Sequence, residues 1–306
     1  MPSLTRKQLA LLIPIIIIWG VNWPIMKAAM STIPPMSFRM ITFWIGLLIL
    51  GSLLIVLRVP FRIPVRQWPE LVLLSATNMF VWYGLIIVAL NQLPSGRAAI
   101  LGYTMPIFTA LIGSLVFGER LTPRNWLGVG AASGGVGLLL WHELSAISGK
   151  PWYMAVALVA AATWALGTLL LRRTSIKAPT LTVSFWMTAL TAVVMSVCAF
   201  LFERPNWSIL GEATSFAVLY NAVLIIALSQ AGWFVLAREL PPIASTLSVM
   251  LIPVVGVFSG TIWLGEILHW QDWAAMILMS FAIVSVLWPN RALRHAPKSV
   301  PVGGNV

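Results

Sequence analysis

Long apolar runs separated by short polar links set the pattern of this chain from end to end. A helix needs about 20 mainly apolar residues to cross the hydrocarbon core of a bilayer. By that criterion the pattern predicts ten helices, at roughly 9–30, 36–57, 68–90, 95–117, 123–141, 152–172, 179–202, 213–237, 241–264 and 270–288. The links are too short to hold a soluble domain, and residues 291–306 read as a polar, basic, disordered cytoplasmic tail. The expected fold class is an all-α integral membrane protein.

The apolar runs also repeat. Residues 93–126 align with 240–273 at a constant offset of 147, and Leu93, Pro94, Pro106, Gly113, Gly118, Glu119, Leu121 and Trp126 recur as Leu240, Pro241, Pro253, Gly260, Gly265, Glu266, Leu268 and Trp273. Near the N-terminus, Trp19–Lys27 aligns with Trp164–Arg172 at an offset of 145, so the first apolar run has a mate and is kept as a span, not read as a cleaved signal peptide. The chain is expected to divide into a first repeat at 1–147 and a second at 148–290, each of five helices. Five is odd, so the second repeat starts from the opposite face of the membrane and the two are inverted. Inverted repeats are the scaffold of secondary transporters, with the cargo site near the midplane between the halves.

Composition sharpens this picture. Of 306 residues 59% are hydrophobic and 9% charged, with mean hydropathy +0.93, outside the range of soluble domains. A formal charge of +11 raises the question of nucleic acid, but the basic residues are scattered between apolar runs and form no single face. With the N-terminus inside, fourteen Lys and Arg fall on the cytoplasmic side and five, Lys27, Arg39, Arg97, Lys150 and Arg204, on the other, so both termini are expected in the cytoplasm. The single cysteine, Cys198, excludes a disulfide framework, and no metal cluster, phosphate loop or catalytic triad emerges, so neither enzyme chemistry nor a cofactor is expected.

Trp19-Gly20-Val21-Asn22 with Lys27, Pro106 with Phe117-Gly118-Glu119-Arg120-Leu121, and Pro253 with Leu264-Gly265-Glu266 resemble the drug/metabolite transporter superfamily, in its members with two EamA-type repeats. The resemblance covers about residues 5–290. It implies a ten-helix transporter of small metabolites, most often outward, with a cavity lined by spans one, three, four, six, eight and nine. The tryptophan-rich core looks like that of the aromatic amino-acid exporters of the YddG type. One departure is Gly167, which stands where the first-half mate has Asn22.

Depth in the spans selects candidate cargo residues. Trp and Tyr normally sit at the headgroup level, as Trp68, Trp126, Trp141, Trp152, Trp207, Trp270, Trp273 and Trp288 do. Trp19, Tyr83, Tyr103 and Trp164 fall near span centres instead, where each polar tip needs a partner in protein, water or ligand. Asn22, Asn78, Gln230 and Ser248 complete the substrate-binding candidates, since deep amides are costly in lipid; packing and self-capping are the plainer readings of individual members. Pro106 and Pro253 are expected to kink their helices, freeing the carbonyls of Gly102 and Val249 and serving as hinges. Small-residue spacings at Gly130/Gly134 and Gly256/Gly260 point to close helix contacts, within the chain or in a homodimer.

All eight carboxylates, Glu70, Glu119, Glu143, Glu203, Glu212, Glu239, Glu266 and Asp272, lie at span ends or in links, away from the place a proton-carrying group takes. Phosphorylated cargo calls for cavity cations, and only Lys27 and Arg39 come near, both toward the outer end, so a neutral or zwitterionic cargo is expected. The sequence therefore reads as a bacterial inner-membrane exporter of amino acids, aromatic or bulky apolar ones favoured, working by alternating access through facilitated diffusion or exchange. Another small metabolite or a lipophilic drug is the alternative cargo, and a membrane scaffold or membrane-embedded enzyme the alternative class. Its partners are a small molecule and the lipid bilayer, not nucleic acid, with the chain as monomer or homodimer.

Overall fold

The computed structural model describes residues 6–118, 123–145, 150–203, 211–239 and 251–287. Among them there is no β-strand, and the helices form ten rods. These are α1 (Arg6–Ala29), α2 (Pro35–Val56), α3 (Val65–Gln92), α4 (Ser95–Phe117), α5 (Pro123–Ser145), α6 (Pro151–Arg172), α7 (Thr180–Phe202), α8 (Glu212–Tyr220, Asn221–Ser229 and Gln230–Glu239), α9 (Leu251–Leu264) and α10 (Trp270–Leu287). Seven of them, α1 to α4 and α6 to α8, are long and apolar enough to cross a membrane by length and composition. In lipid every backbone group must be satisfied within the segment, and that is why apolar runs of this length become helices.

The helix contacts obey a twofold rule that exchanges the first five rods with the last five. α1 packs on α9 as α6 packs on α4, α2 on α8 as α7 on α3, and α3 on α6 as α8 on α1; α2–α7, α4–α9 and α5–α10 pair across the axis. Lipid removes most of the hydrophobic driving force between helices, so close approach depends on small residues. A Cβ on Gly20 would stand 2.5 Å from the Val255 side chain, and one on Gly46 would stand 2.7 Å from Ile226. Gly256 and Gly260 face Ala99, Trp23 and Ser95, so that spacing serves the contacts of α9 with α4 and α1; Gly130 meets nothing within 4 Å.

Both repeats distort their third rod. The backbone widens to π-helix at Ala76–Phe80 in α3 and at Asn221–Ser229 in α8, 145 residues on, the kind of deviation often found beside functional sites. α4 is interrupted between Gly102 and Met105, one turn before Pro106, and Thr104 Oγ1 covers the Leu101 carbonyl at 2.7 Å. Pro253 lies within the first turn of described α9, whereas Val249, Ser245 and Ser248 lie outside the described residues. α4 and α9 are followed by Gly118 and Gly265 at φ +68° and +65°, a left-handed conformation that glycine alone adopts without strain.

Carboxylates at the rod ends cap neighbouring helices. Glu266 accepts from the Ser95 and Gly96 backbone N–H groups at 2.6 and 3.1 Å and from Ser95 Oγ at 2.9 Å, satisfying the start of α4. Glu203 accepts from the Met36 and Ser37 N–H groups at 2.8 and 2.6 Å at the start of α2, and Glu70 holds the Ser175 N–H at 2.8 Å in the link before α7. Asp272 pairs with Arg97 Nε at 2.9 Å. Glu119, the mate of Glu266, lies outside the described residues.

Candidate functional site

The distorted rods meet around a cavity. About 420 Å³ of space not filled by atoms lies between Trp19, Asn22, Trp23 and Met26 of α1, Arg39 of α2, Trp82, Tyr83 and Ile86 of α3, Tyr103 of α4, Trp164 of α6, and Ile225 and Gln230 of α8. Helices of both repeats build the wall, and six of its side chains are aromatic.

The indoles form one cluster. Trp82 stacks on Trp164 with centroids 5.3 Å apart, Trp164 meets Trp19 at 6.1 Å edge-on, and Trp233 closes behind both at 5.7 and 5.9 Å. Trp23 meets Tyr103 edge-on at 6.2 Å. Offset and edge-to-face pairs of this kind add about 0.5–1.5 kcal/mol each beyond burial. They hold large flat faces ready for an aromatic or aliphatic group.

Polar side chains are linked to one another around the same cavity. Tyr83 Oη donates to Gln230 Oε1 at 2.8 Å, linking α3 to α8. Asn221 Nδ2 donates to Asn22 Oδ1 at 2.8 Å, and Asn22 Nδ2 donates to Met26 Sδ at 3.3 Å. Arg39 is 1% exposed, and its guanidinium lies 4.7 Å from the Tyr83 ring centroid. Its Nη1 reaches Asn221 Oδ1 at 3.4 Å and its Nη2 the Met26 sulfur at 3.0 Å, and it has no carboxylate partner among the described residues. Burying a guanidinium costs on the order of several kcal/mol unless it is paired. A long amide contact and a thioether are weak recompense.

Of the eight candidates from the sequence, Trp19, Asn22, Tyr83, Tyr103, Trp164 and Gln230 surround this cavity. Asn78 is fully buried elsewhere: its side chain lies against Gly167 of α6, where a Cβ would be 2.6 Å from Nδ2, and Nδ2 donates to the Leu74 carbonyl at 3.2 Å. Ser248 lies outside the described residues, and the hinge candidates Pro106 and Pro253 are not in the lining. Pro253 instead borders a smaller void with Tyr103, Met276 and Met279. Trp23, Trp82, Arg39, Trp233 and Asn221 were missed by the sequence reading. Trp82 lies one residue nearer the centre of α3 than Tyr83, so depth alone flags it. Lys27, paired with Arg39 in that reading, is committed elsewhere: Nζ donates to the Leu90 and Asn91 carbonyls at 2.9 Å each, at the end of α3. Span two enters the lining through Arg39, and the described part of span nine does not.

Two segments, residues 7–141 and 151–288, each match the EamA-like transporter family. The chain belongs to that family. It is thus a membrane transporter with two EamA repeats. It is similar to an uncharacterized transporter, YvbV, of Bacillus subtilis, 28% identical with 97% of each chain covered. Against the uncharacterized inner membrane transporter YedA of Escherichia coli K12 it is 28% identical, covering 94% of this chain and 92% of that one. A probable amino-acid metabolite efflux pump of Escherichia coli K12 is 22% identical over 92% of this chain and 96% of its own. EamA transporters are in general not enzymes. In this EamA chain the described lining residues include no Asp, Glu, His or Cys, and no group of three such residues able to hold a metal occurs among the described residues.

Proposed function

We infer that the chain exports amino acids, aromatic or bulky apolar ones above all, and related small metabolites across a bacterial inner membrane by alternating access. The observation that carries this reading is the cavity itself: indole and phenol rings together with hydrogen-bonding side chains in one lining, built by helices of both repeats. A cargo side chain stacks on the rings and its polar head meets the hydrogen-bonding groups. The two repeats, 1–147 and 148–290, rock with Pro106 and Pro253 as hinges. The Lys and Arg distribution supports cytoplasmic termini. A name given to one distant relative, a probable amino-acid metabolite efflux pump, is in keeping with this cargo.

The energy source is the cargo gradient. Glu70, Glu203, Glu266 and Asp272 are occupied as caps or in an ion pair, and the described lining residues offer no carboxylate to carry a proton. Counterflow in proteoliposomes with a panel of amino acids, bases and drugs tests the cargo, and a pH-sensitive dye in the same vesicles tests coupling. Uptake of bulky apolar amino acids without stoichiometric proton movement is expected. Trp164→Ala and Tyr103→Ala should each cut that uptake by about tenfold, the worth of one aromatic contact, with the yield of folded protein unchanged. Normal uptake in both variants would move the cargo site elsewhere.

A further inference from the structure

The polar side chains of the cavity are unequally satisfied. Its side-chain acceptors are used: Asn22 Oδ1 takes the Asn221 N–H, and Gln230 Oε1 takes the Tyr83 hydroxyl. Its donors are not. Trp19 Nε1, Trp164 Nε1, Gln230 Nε2 and Arg39 Nε are all buried with no hydrogen-bond partner. All four belong to residues of the lining, come from four different helices, and carry N–H groups. The Asn78 oxygen, an unpartnered acceptor, lies outside the lining.

A surplus of donors around a permanent positive charge defines a complement. Arginine stays protonated in proteins and offers five N–H donors in a planar fork shaped for a carboxylate. In Arg39 one N–H reaches an amide oxygen at 3.4 Å and another a thioether, which leaves the Nε edge unmatched. An arginine kept only to staple α2 to its neighbours gains most from a resident carboxylate, and here four carboxylates are engaged elsewhere. Among the described residues no carboxylate answers Arg39, and a cargo can bring the counter-charge in and carry it out.

We propose that Arg39 is the anion anchor of this transporter: it takes the carboxylate of an aromatic or bulky apolar cargo, and the cavity selects for that acid group and not for an amine. This rests on the cavity being the cargo site and deepens that reading. The Trp19, Trp164 and Gln230 N–H groups supply further donors to the acid oxygens or to a carbonyl beside them. An ammonium finds no carboxylate among the described lining residues, so deaminated or N-acylated acids are cargo as good as the free amino acid. Simple aromatic amines are excluded, since they bring a second positive charge into a cavity that already holds one. The expectation of a neutral or zwitterionic cargo is thereby narrowed to a carboxylate-bearing one.

The test uses the full chain in proteoliposomes and four compounds with one phenyl side arm: phenylalanine, 3-phenylpropionate, phenethylamine and phenylalaninamide. Counterflow is read by isotope, and binding by quenching of the lining indoles. Phenylalanine and 3-phenylpropionate should exchange and quench saturably, and the two compounds lacking a carboxylate should do neither. Arg39→Gln should weaken binding of both acids by about 10- to 100-fold, the range for hydrogen bonds to a charged group. Arg39→Lys should retain part of it, and quenching by neutral 3-phenylpropanol should be unchanged in both variants. If Arg39→Gln does not fold, the four compounds on the unaltered protein decide. Exchange of phenethylamine or phenylalaninamide as fast as phenylalanine would overturn the anchor and leave an exporter, as would full acid affinity in Arg39→Gln. No exchange of any of the four would overturn both the anchor and the amino-acid cargo.

Discussion

Gly167 offers a test of how closely α6 rides on the π-distorted turn of α3. A Cβ added there would lie 2.6 Å from Asn78 Nδ2, 2.7 Å from its Cγ and 2.8 Å from its backbone nitrogen. Real Cβ atoms do not come within 3.0 Å of such neighbours, and a backbone atom cannot swing aside. Gly167→Ala therefore has to push the two helices apart. Overpacking of this kind costs about 1–3 kcal/mol, and the backbone contact places this case near 3. Alanine returns about 1 kcal/mol of helix propensity, for a net loss of about 2. Gly130→Ala is the internal control: it lies in α5 with nothing within 4 Å, and gains up to about 1 kcal/mol. Thermal unfolding of the detergent-purified variants should show Gly167→Ala melting roughly 4 °C or more below the unaltered chain. Gly130→Ala should melt level with it or slightly above. Adding Asn78→Ala to Gly167→Ala should restore only part of the loss, because the 2.8 Å backbone contact remains. A Gly167→Ala protein that melts with Gly130→Ala would refute the close approach and the helix rotation inferred from it.

Two further substitutions probe the cap and the polar chain. Glu266→Ala removes three hydrogen bonds from the start of α4, at about 0.5–2 kcal/mol, and hydrogen exchange should speed up at the Ser95 and Gly96 amides first; unchanged exchange there would mean the cap is redundant. Tyr83→Phe keeps the ring beneath Arg39 but leaves Gln230 Oε1 buried without its donor, a cost of about 1–3 kcal/mol. Melting temperature and uptake should both fall, and a variant equal to the unaltered protein in both would show that the Gln230 contact is not used.

Much of the fold was legible because the bilayer leaves the chain few choices. The apolar runs correspond to rods at nearly the expected bounds, except that the first ten residues of the ninth, expected from 241, lie outside the described residues, and the recurrence of Gly118 and Gly265 appears as paired left-handed glycines. Depth along a helix was legible too, by counting residues from span ends, and it brought Trp19, Tyr83, Tyr103 and Trp164 to one cavity. Depth cannot assign a face. Asn78 and Tyr83 lie in one rod at similar depth, yet Tyr83 lines the cavity and Asn78 fills the gap left by Gly167. Arg39 was discounted for lying four residues inside its helix, near the outer end, and nothing in its neighbourhood along the chain signals that it faces inward.

The sequence by itself determined the number of helices, their division into two repeats and the family, because a lipid solvent demands unbroken apolar helices and a duplication leaves its prolines and glycines in register. Only the tertiary structure decided which side chains share the cavity. In a membrane the lipid-facing and core-facing sides of a helix are both apolar, so the periodicity that orients a helix in water is nearly silent here. Rotation is set by contacts between residues far apart in the chain: Gly20 on Val255, Asn22 with Asn221, and Arg39 with the same Asn221 across 182 positions. Those contacts bring a buried arginine into a cavity lined by six aromatic side chains and leave its charge for the cargo to answer.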